Sequence, residues 1–404
     1  MATPVADLDL HTLDDPLREL TRDEWRREIA AAHAKHPYLA RNVLGYSVTD
    51  HAHATAFLRA RRFWSAIAYI PQFAGIDPES MGLGDQPSIL STEGDAHGRL
   101  RRLVAPAFTP KAADRLRPFM RSVVERLVDA VTDAGRCELV ADVCEPYPIP
   151  IICELLGAPA EDWKLFSEWA TDLLRIFNND LANDLPRIRA ARASLDTYVG
   201  ALIEERRRAP RADLLSDMIA ITDAGDRLSS GELMSMAQAV LVAGTDTTRN
   251  QLACTMALFA QHPDQWRLLV ERPELAPRAV EESMRFLGAV RGTARIASED
   301  IEMDGVHYRQ GTFLFPSFVA ANFDDTVWSE ADRFDITKES SNTPHLTFGS
   351  GIHYCLGAWL ARAELQEALP VLAARWPDMR LDGEITWKPP QFGIWGPAAL
   401  PLAW

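Results

Sequence analysis

A mainly α fold with small β-sheets is predicted by three observations. Helical hydrophobic periodicity fills the long stretches 115–133, 162–177, 185–207, 230–261 and 356–375. Strand signals are few, and the clearest lies in 301–319, where Asp304-Gly305 marks a tight turn ahead of a β-rich aromatic run. No internal repeat is visible, which excludes a solenoid or a regular barrel.

The chain has 404 residues, of which 47% are hydrophobic and 25% charged, enough apolar material for a large core. No Gly/Ser-rich or Pro-rich linker divides it, so residues 1–404 are expected to form one domain. A Gly- and Pro-rich stretch over 63–91 reads as a long irregular connection of the kind that often carries function. Lys plus Arg (42) against Asp plus Glu (57) leaves a net charge of −15, which opposes a general attraction to nucleic acid or anionic lipid. The N-terminal stretch is interrupted by acids and lacks an apolar core, so it does not read as a secretory signal. No apolar run is long enough to span a membrane. A cytoplasmic protein is expected.

Five cysteines stand at 137, 144, 153, 254 and 355, without the paired short spacing that holds zinc. Four sit among apolar neighbours and read as small buried hydrophobes. Cys355 differs. It closes a glycine-rich segment containing Phe348, Gly349, Gly351, His353 and Gly357, ahead of a strong helix starting about Leu356. Glycines let backbone approach a flat ligand closely. A cysteine at the positive end of a helix dipole is placed to be a thiolate, the form that binds metals.

Phe348, two residues, Gly351, one residue, His353, one residue, Cys355, one residue, Gly357 resembles the haem-binding signature of the cytochrome P450 family at every specified position. The resemblance implies the P450 fold, a triangular prism with haem between a long oxygen-binding helix and the cysteine-loop helix. It implies haem b as cofactor and Cys355 as its iron ligand, a thiolate that favours O–O cleavage. Phe348 would pack beside the sulfur, Gly349 and Gly357 would shape the loop so that backbone N–H groups reach it, and His353 would hold a propionate.

Three more matches follow in the order the fold requires. The run Ala243-Gly244-Thr245-Asp246-Thr247-Thr248 resembles the oxygen-binding segment, where Ala243 and Gly244 make room above the haem and Asp246 with Thr247 supplies protons. In isolation these threonines would simply bond back to helix carbonyls, with Asp246 in solvent. Glu282 and Arg285, at i and i+3, resemble the family's Glu-two residues-Arg motif, and Arg333 its third, buried partner; their role would be in folding. Departures from the family pattern are Ala331, where Pro is common, and Phe323 and Trp328, so this segment is expected to be shaped differently. His97 and Arg101, four apart on one helix face, would bind propionates together with Arg295.

No flavin, dinucleotide or iron–sulfur motif is present, so electrons must come from outside. The resemblance implies a ferredoxin and its ferredoxin reductase. Arg99, Arg102, Lys111, Arg115 and Arg117 form a local basic run that could steer an acidic partner, or could be ordinary solvated charges. By resemblance, the substrate faces Ala239, Val242, Val290, Arg291 and Ile394, and the segments 69–90 and 166–177 complete the pocket. The implied activity is insertion of one atom of O2 into a hydrophobic small molecule: a terpenoid, steroid, fatty acyl or aromatic compound. Arg291 hints at a ligand with a carboxylate or other polar end, with a salt bridge elsewhere in the protein as the favoured competing reading. Alternatives to the monooxygenase are a peroxide-driven or non-oxygenating haem-thiolate enzyme and a haem-based sensor. Asp246 and Thr247 argue against the first two, and the absence of an output domain against the third.

Overall fold

The computed structural model describes residues 2–13, 22–73, 75–76, 88–177, 180–223, 228–338, 343–389 and 393–404. At its centre lies the helix Ser230–Gln261, which starts where local chemistry dictates. The Ser229 hydroxyl accepts from the Glu232 N–H at 3.1 Å, and the Glu232 carboxylate accepts from the Ser229 N–H at 2.8 Å, a reciprocal capping box. From Leu233 to Phe259 most of this helix is buried. It packs against Pro148–Leu156, Trp163–Leu174 and Leu181–Arg208.

A second helical layer is built from Ala358–Arg375 lying on Pro110–Thr132, with Ala276–Phe286 beside it. One continuous apolar cluster joins these helices, running from Leu100 to Leu402 in sequence. The indole N–H of Trp266 donates to the Trp376 carbonyl at 3.1 Å, satisfying a polar group inside that cluster.

The β structure forms a separate edge. A five-stranded sheet runs in the order Leu39–Asn42, Gly45–Val48, Phe313–Pro316, Arg295–Ala297, Phe63–Ser65. Ile301–Met303 and Val306–Tyr308 pair antiparallel, and the turn between them places Asp304 at φ 49° and Gly305 at φ 76°, as a two-residue hairpin requires. The predicted strand region 301–319 is shorter than expected, because Phe318–Asn322 turns helical behind the Ser317 cap. The stretch over 63–91 is also more ordered than expected. It supplies the edge strand Phe63–Ser65 and two short helices, Ala66–Tyr69 and Ile70–Phe73, while residues 74 and 77–87 lie outside the described set. Among the described residues, no helix is long and apolar enough to cross a membrane.

Candidate active site

The helix after the cysteine loop begins at Ala358, with Gly357 as its cap, two residues later than expected. Cys355 therefore precedes the helix. Its backbone N–H donates to the Phe348 carbonyl at 2.9 Å, closing the loop into a turn. Gly351 holds φ 75° there, and a Cβ on it would lie 2.2 Å from the Leu58 carbonyl oxygen. The loop is thus wedged against the end of the helix His51–Arg59, a position that only glycine can occupy.

Cys355 keeps accessible surface, yet burial is the largest influence on its thiol and pushes its pKa up. A sulfur that is deep in the protein and still accessible borders an interior space. The Gly357 N–H and the charges of Arg101 and Arg362 pull the other way without prevailing. Desolvation outweighs these three influences. Cys144, Cys153 and Cys254 are buried, as expected, and Cys137 is half-buried.

Phe348 is covered by Arg362, whose guanidinium carbon stands 4.4 Å above the ring. Arg362 is fixed by a bidentate pair with Glu281, at 2.6 and 2.9 Å, and Nε2 of His345 stands 3.4 Å from the same carboxylate. These charges hold the Glu281 carboxyl at about 2, against the burial that opposes them.

His97, Arg101, Arg295 and His353 come together with one acid, Glu93. The His97 and His353 rings are 4.5 Å apart, His353 Nε2 lies 2.9 Å from Glu93 Oε1, and Arg101 donates to the Ile352 carbonyl at 3.2 Å. The Ser65 N–H also donates to Glu93. Burial and the neighbouring cations push His97 down to about 4, and burial pushes Arg295 down to about 10. Two guanidiniums and two imidazoles gather here with one carboxylate, so the cluster holds more donors than acids and fits a ligand bearing further carboxylates. Glu93 was not anticipated from sequence. Next to it, a Cβ added to Gly357 would meet nothing within 4 Å, which leaves room beside the sulfur for a flat group.

On the central helix, Ala239, Val242, Ala243 and Thr247 retain accessible surface in the middle of an otherwise buried element, Ala243 the most. Spaced at i, i+3, i+4 and i+8, they form one stripe. Gly244 lies off it. A Cβ there would come 2.3 Å from Ile152 Cδ1, so this glycine admits the neighbouring helix rather than clearing space for a ligand. Thr247 donates to the Ala243 carbonyl at 2.8 Å, the back-bonding expected of an isolated threonine. Asp246, however, is buried rather than solvated, and pairs with Arg249. Arg249 in turn reaches Thr171 Oγ1 at 3.0 Å and both Glu145 and Ser167 at 3.4 Å. Val290 and Ile394 form a β-bridge and are half-buried, as is Arg291.

The buried polar network near Arg285 departs from expectation in one member. Arg285 makes two bonds of 2.8 Å to Glu282 and donates to the carbonyls of Asn322 (2.9 Å) and Ala331 (2.8 Å). Its guanidinium carbon stands 5.6 Å from the rings of Phe286, Phe323 and Trp328, so two of the unusual residues of this segment form a cage about the charge. The side chain of Arg333 is 58% exposed and pairs with Glu330 and Asp335; only its backbone carbonyl faces Arg285. Lys338, 3.4 Å from Glu282, takes the place expected of Arg333.

Glu364 also escaped the sequence reading. It is fully buried on Ala358–Arg375, with the Thr248 hydroxyl of the central helix as its polar neighbour, and burial pushes its carboxyl up to about 8. The signal in the sequence was an acid among the apolar residues Ala363, Leu365 and Ala368, although Glu367, one turn on, is buried as well.

A deep, accessible cysteine, a cation cluster short of acids and an open stripe on a buried helix define an oxidoreductase site for a large anionic cofactor bound beside a thiol. The chain belongs to the cytochrome P450 family and is a monooxygenase of that family. The Cytochrome P450 model matches residues 266–373. Nocardicin C N-oxygenase of Nocardia uniformis subsp. tsuyamanensis is 38% identical over 99% of this chain and 97% of its own. Among solved structures, CalO2 superposes with a TM-score of 0.88 at 30% identity, covering 97% of this chain and 99% of that one. P450BioI in complex with hexadec-9Z-enoic acid ligated acyl carrier protein gives 0.86 at 30% identity, covering 95% and 99%. Membership of the family implies a haem-thiolate cofactor and the mainly α P450 fold.

Proposed function

We propose that Cys355 ligates the iron of haem b, with His97, Arg101, Arg295 and His353 holding its propionates, and that residues 1–404 act as one catalytic unit. The observation that carries this reading is Cys355, deep in the protein yet accessible, beside two guanidiniums and two imidazoles gathered with one acid. A cysteine whose thiol is held protonated by burial becomes a thiolate when a metal centre supplies positive charge beside it. Bound there, haem supplies the activation of O2 and the transfer of one oxygen atom to the substrate.

The protein's part is proton handling, electrostatics and substrate positioning. Asp246 hands protons to the Thr247 hydroxyl once Arg249 swings from its carboxylate toward Glu145, Ser167 and Thr171, the groups it already touches. Glu145 is 39% exposed at its side chain and opens this route to solvent. Arg362 over Phe348 places a fixed positive charge near the sulfur. Ala239, Val242, Val290 and Ile394 offer an apolar wall that suits a hydrophobic substrate; two of the relatives named above act on or bind a natural product and an acyl chain, by their names.

Electrons come from a ferredoxin and its reductase. Of the basic run, Arg99 is paired with Glu232 and Arg117 with Asp114 and Glu367. Arg102, Lys111 and Arg115 are exposed and form the part available to an acidic partner.

The deciding experiment is the carbon monoxide difference spectrum of the reduced protein. The red-shifted Soret band of a thiolate-ligated complex is expected, and it should be lost in Cys355→His with haem retained. Reduction by a ferredoxin panel should slow in Arg102→Glu; unchanged rates with every donor would remove the docking patch.

A further inference from the structure

We propose that Arg291 anchors a carboxylate at one end of the substrate, so that this chain takes an apolar molecule bearing a terminal carboxylate. The inference rests on the monooxygenase reading above and narrows its substrate class.

The backbone of Arg291 is held from both sides. Its N–H donates to the Gly393 carbonyl at 3.1 Å, and its carbonyl accepts from the Phe318 N–H at 2.9 Å. The guanidinium carbon stands 4.8 Å above the ring of Trp395, which is itself stacked on Trp387 at 4.6 Å and 6°. A planar cation held on a planar ring keeps its edge free for a partner.

No such partner is present among the described residues. Four other buried or half-buried guanidiniums have one: Arg206 pairs with Asp213, Arg285 with Glu282, Arg249 with Asp246 and Arg362 with Glu281, whereas Arg101 and Arg295, assigned above to haem propionates, resemble Arg291 in making no ion pair with a described residue. Among the described residues Arg291 has no carboxylate within ion-pair distance, and Cys254 is the one described group that favours its charge. The competing expectation, that a salt bridge inside the protein occupies this arginine, is therefore not met by any described residue.

The surroundings add positive charge. Lys388, in the same C-terminal hairpin, donates to Asn250 at 2.8 Å, and both Lys388 and Arg291 are close enough to act on the Cys254 thiol. Arg291 is half-buried, yet burial dominates its protonation and pushes it down. Arg291 lines a pocket together with Val290, Phe318 and Val319. An uncompensated cation there is costly, and a ligand carboxylate would relieve the cost through two parallel N–H···O bonds. Val290 and Ile394 flank the anchor with apolar surface suited to the body of the same molecule. One end being fixed, the position oxidised is set by its distance along the chain from the carboxylate.

The test uses the haem-loaded enzyme and two probe series, 1-alkylimidazoles from butyl to dodecyl and ω-(imidazol-1-yl)alkanoic acids of matched length. The imidazole nitrogen of both ligates iron, so both shift the Soret band and yield a Kd. At the chain lengths that span iron and anchor, the acid is expected to bind at least about tenfold more tightly, about 1.4 kcal/mol. Arg291→Gln should abolish that preference and leave the Kd of the neutral compound unchanged, while Arg291→Lys should keep part of it. Methyl esters of the same acids test the anchor in the unaltered enzyme should the glutamine variant fold poorly. Acids that bind no better than alkylimidazoles or esters at every length, or a preference that survives Arg291→Gln, would overturn the proposal. A protein whose Soret band responds to neither series loses the haem reading, and the anchor with it.

Discussion

Replacing Arg285 by alanine removes a buried cation that makes two bonds of 2.8 Å to Glu282 and holds the carbonyls of Asn322 and Ala331. Glu282 is then left buried with Lys338, 3.4 Å away, as its remaining cation. Breaking one member of a buried pair costs about 3–5 kcal/mol. An unfolding entropy of about 2.1 cal/mol/K per residue, over 404 residues, makes each kcal/mol worth about 1.2 °C, so Tm should fall by about 4–6 °C. Arg333→Ala is the matched control. Its side chain is 58% exposed and its pairs lie at the surface, so a loss of about 0.5 kcal/mol and under about 1 °C is expected. Thermal unfolding followed by circular dichroism on the two variants, side by side, decides the matter. Equal losses, or a larger loss in Arg333→Ala, would refute the placement of Lys338 and the aromatic cage in the network.

Three further outcomes are expected. Asp246→Asn should lower product formation about a hundredfold while substrate binding, read by spectral titration, stays within a factor of two or so, since it removes a proton donor and not a contact surface; unchanged turnover would exclude the Asp246 route. Gly351→Ala should cost about 3 kcal/mol or more, because a left-handed backbone and a Cβ 2.2 Å from the Leu58 carbonyl oxygen are both imposed, and a Tm within 1–2 °C of the parent would contradict the wedge. Glu364 is protonated when folded up to about pH 8 and ionised when unfolded above about 4.5, so the folded state holds the extra proton between them and stability falls as pH rises through that window. Glu364→Gln should flatten the fall, worth up to about 4–5 kcal/mol at pH 8, and denaturant titrations at pH 5 and 8 would check it.

What was legible in the sequence was local. The central helix begins and ends where periodicity places it, because Ser229 and Glu232 are near neighbours in the chain and cap it themselves. The hairpin at Asp304-Gly305 is likewise written in two residues. Features set by distant partners were not legible. Glu93 meets His353 across 260 residues, Arg362 meets Glu281 across 81, and nothing in either neighbourhood announces the other. Gly244 was read by its smallness as a gap above a ligand, whereas Ile152 of another helix occupies the space. Arg333 was placed by its position in a motif, but the chain turns its backbone, not its side chain, toward Arg285.

The stacked pair Trp387 and Trp395 gives the C-terminal hairpin an optical signature of its own. Two indoles 4.6 Å apart and within 6° of parallel couple their electronic transitions, and Arg291 stands on the outer face of one of them. Near-ultraviolet circular dichroism should therefore register a molecule that draws the guanidinium away, at wavelengths apart from the Soret band. Ligand entry could then be timed without a label and separately from events at the iron.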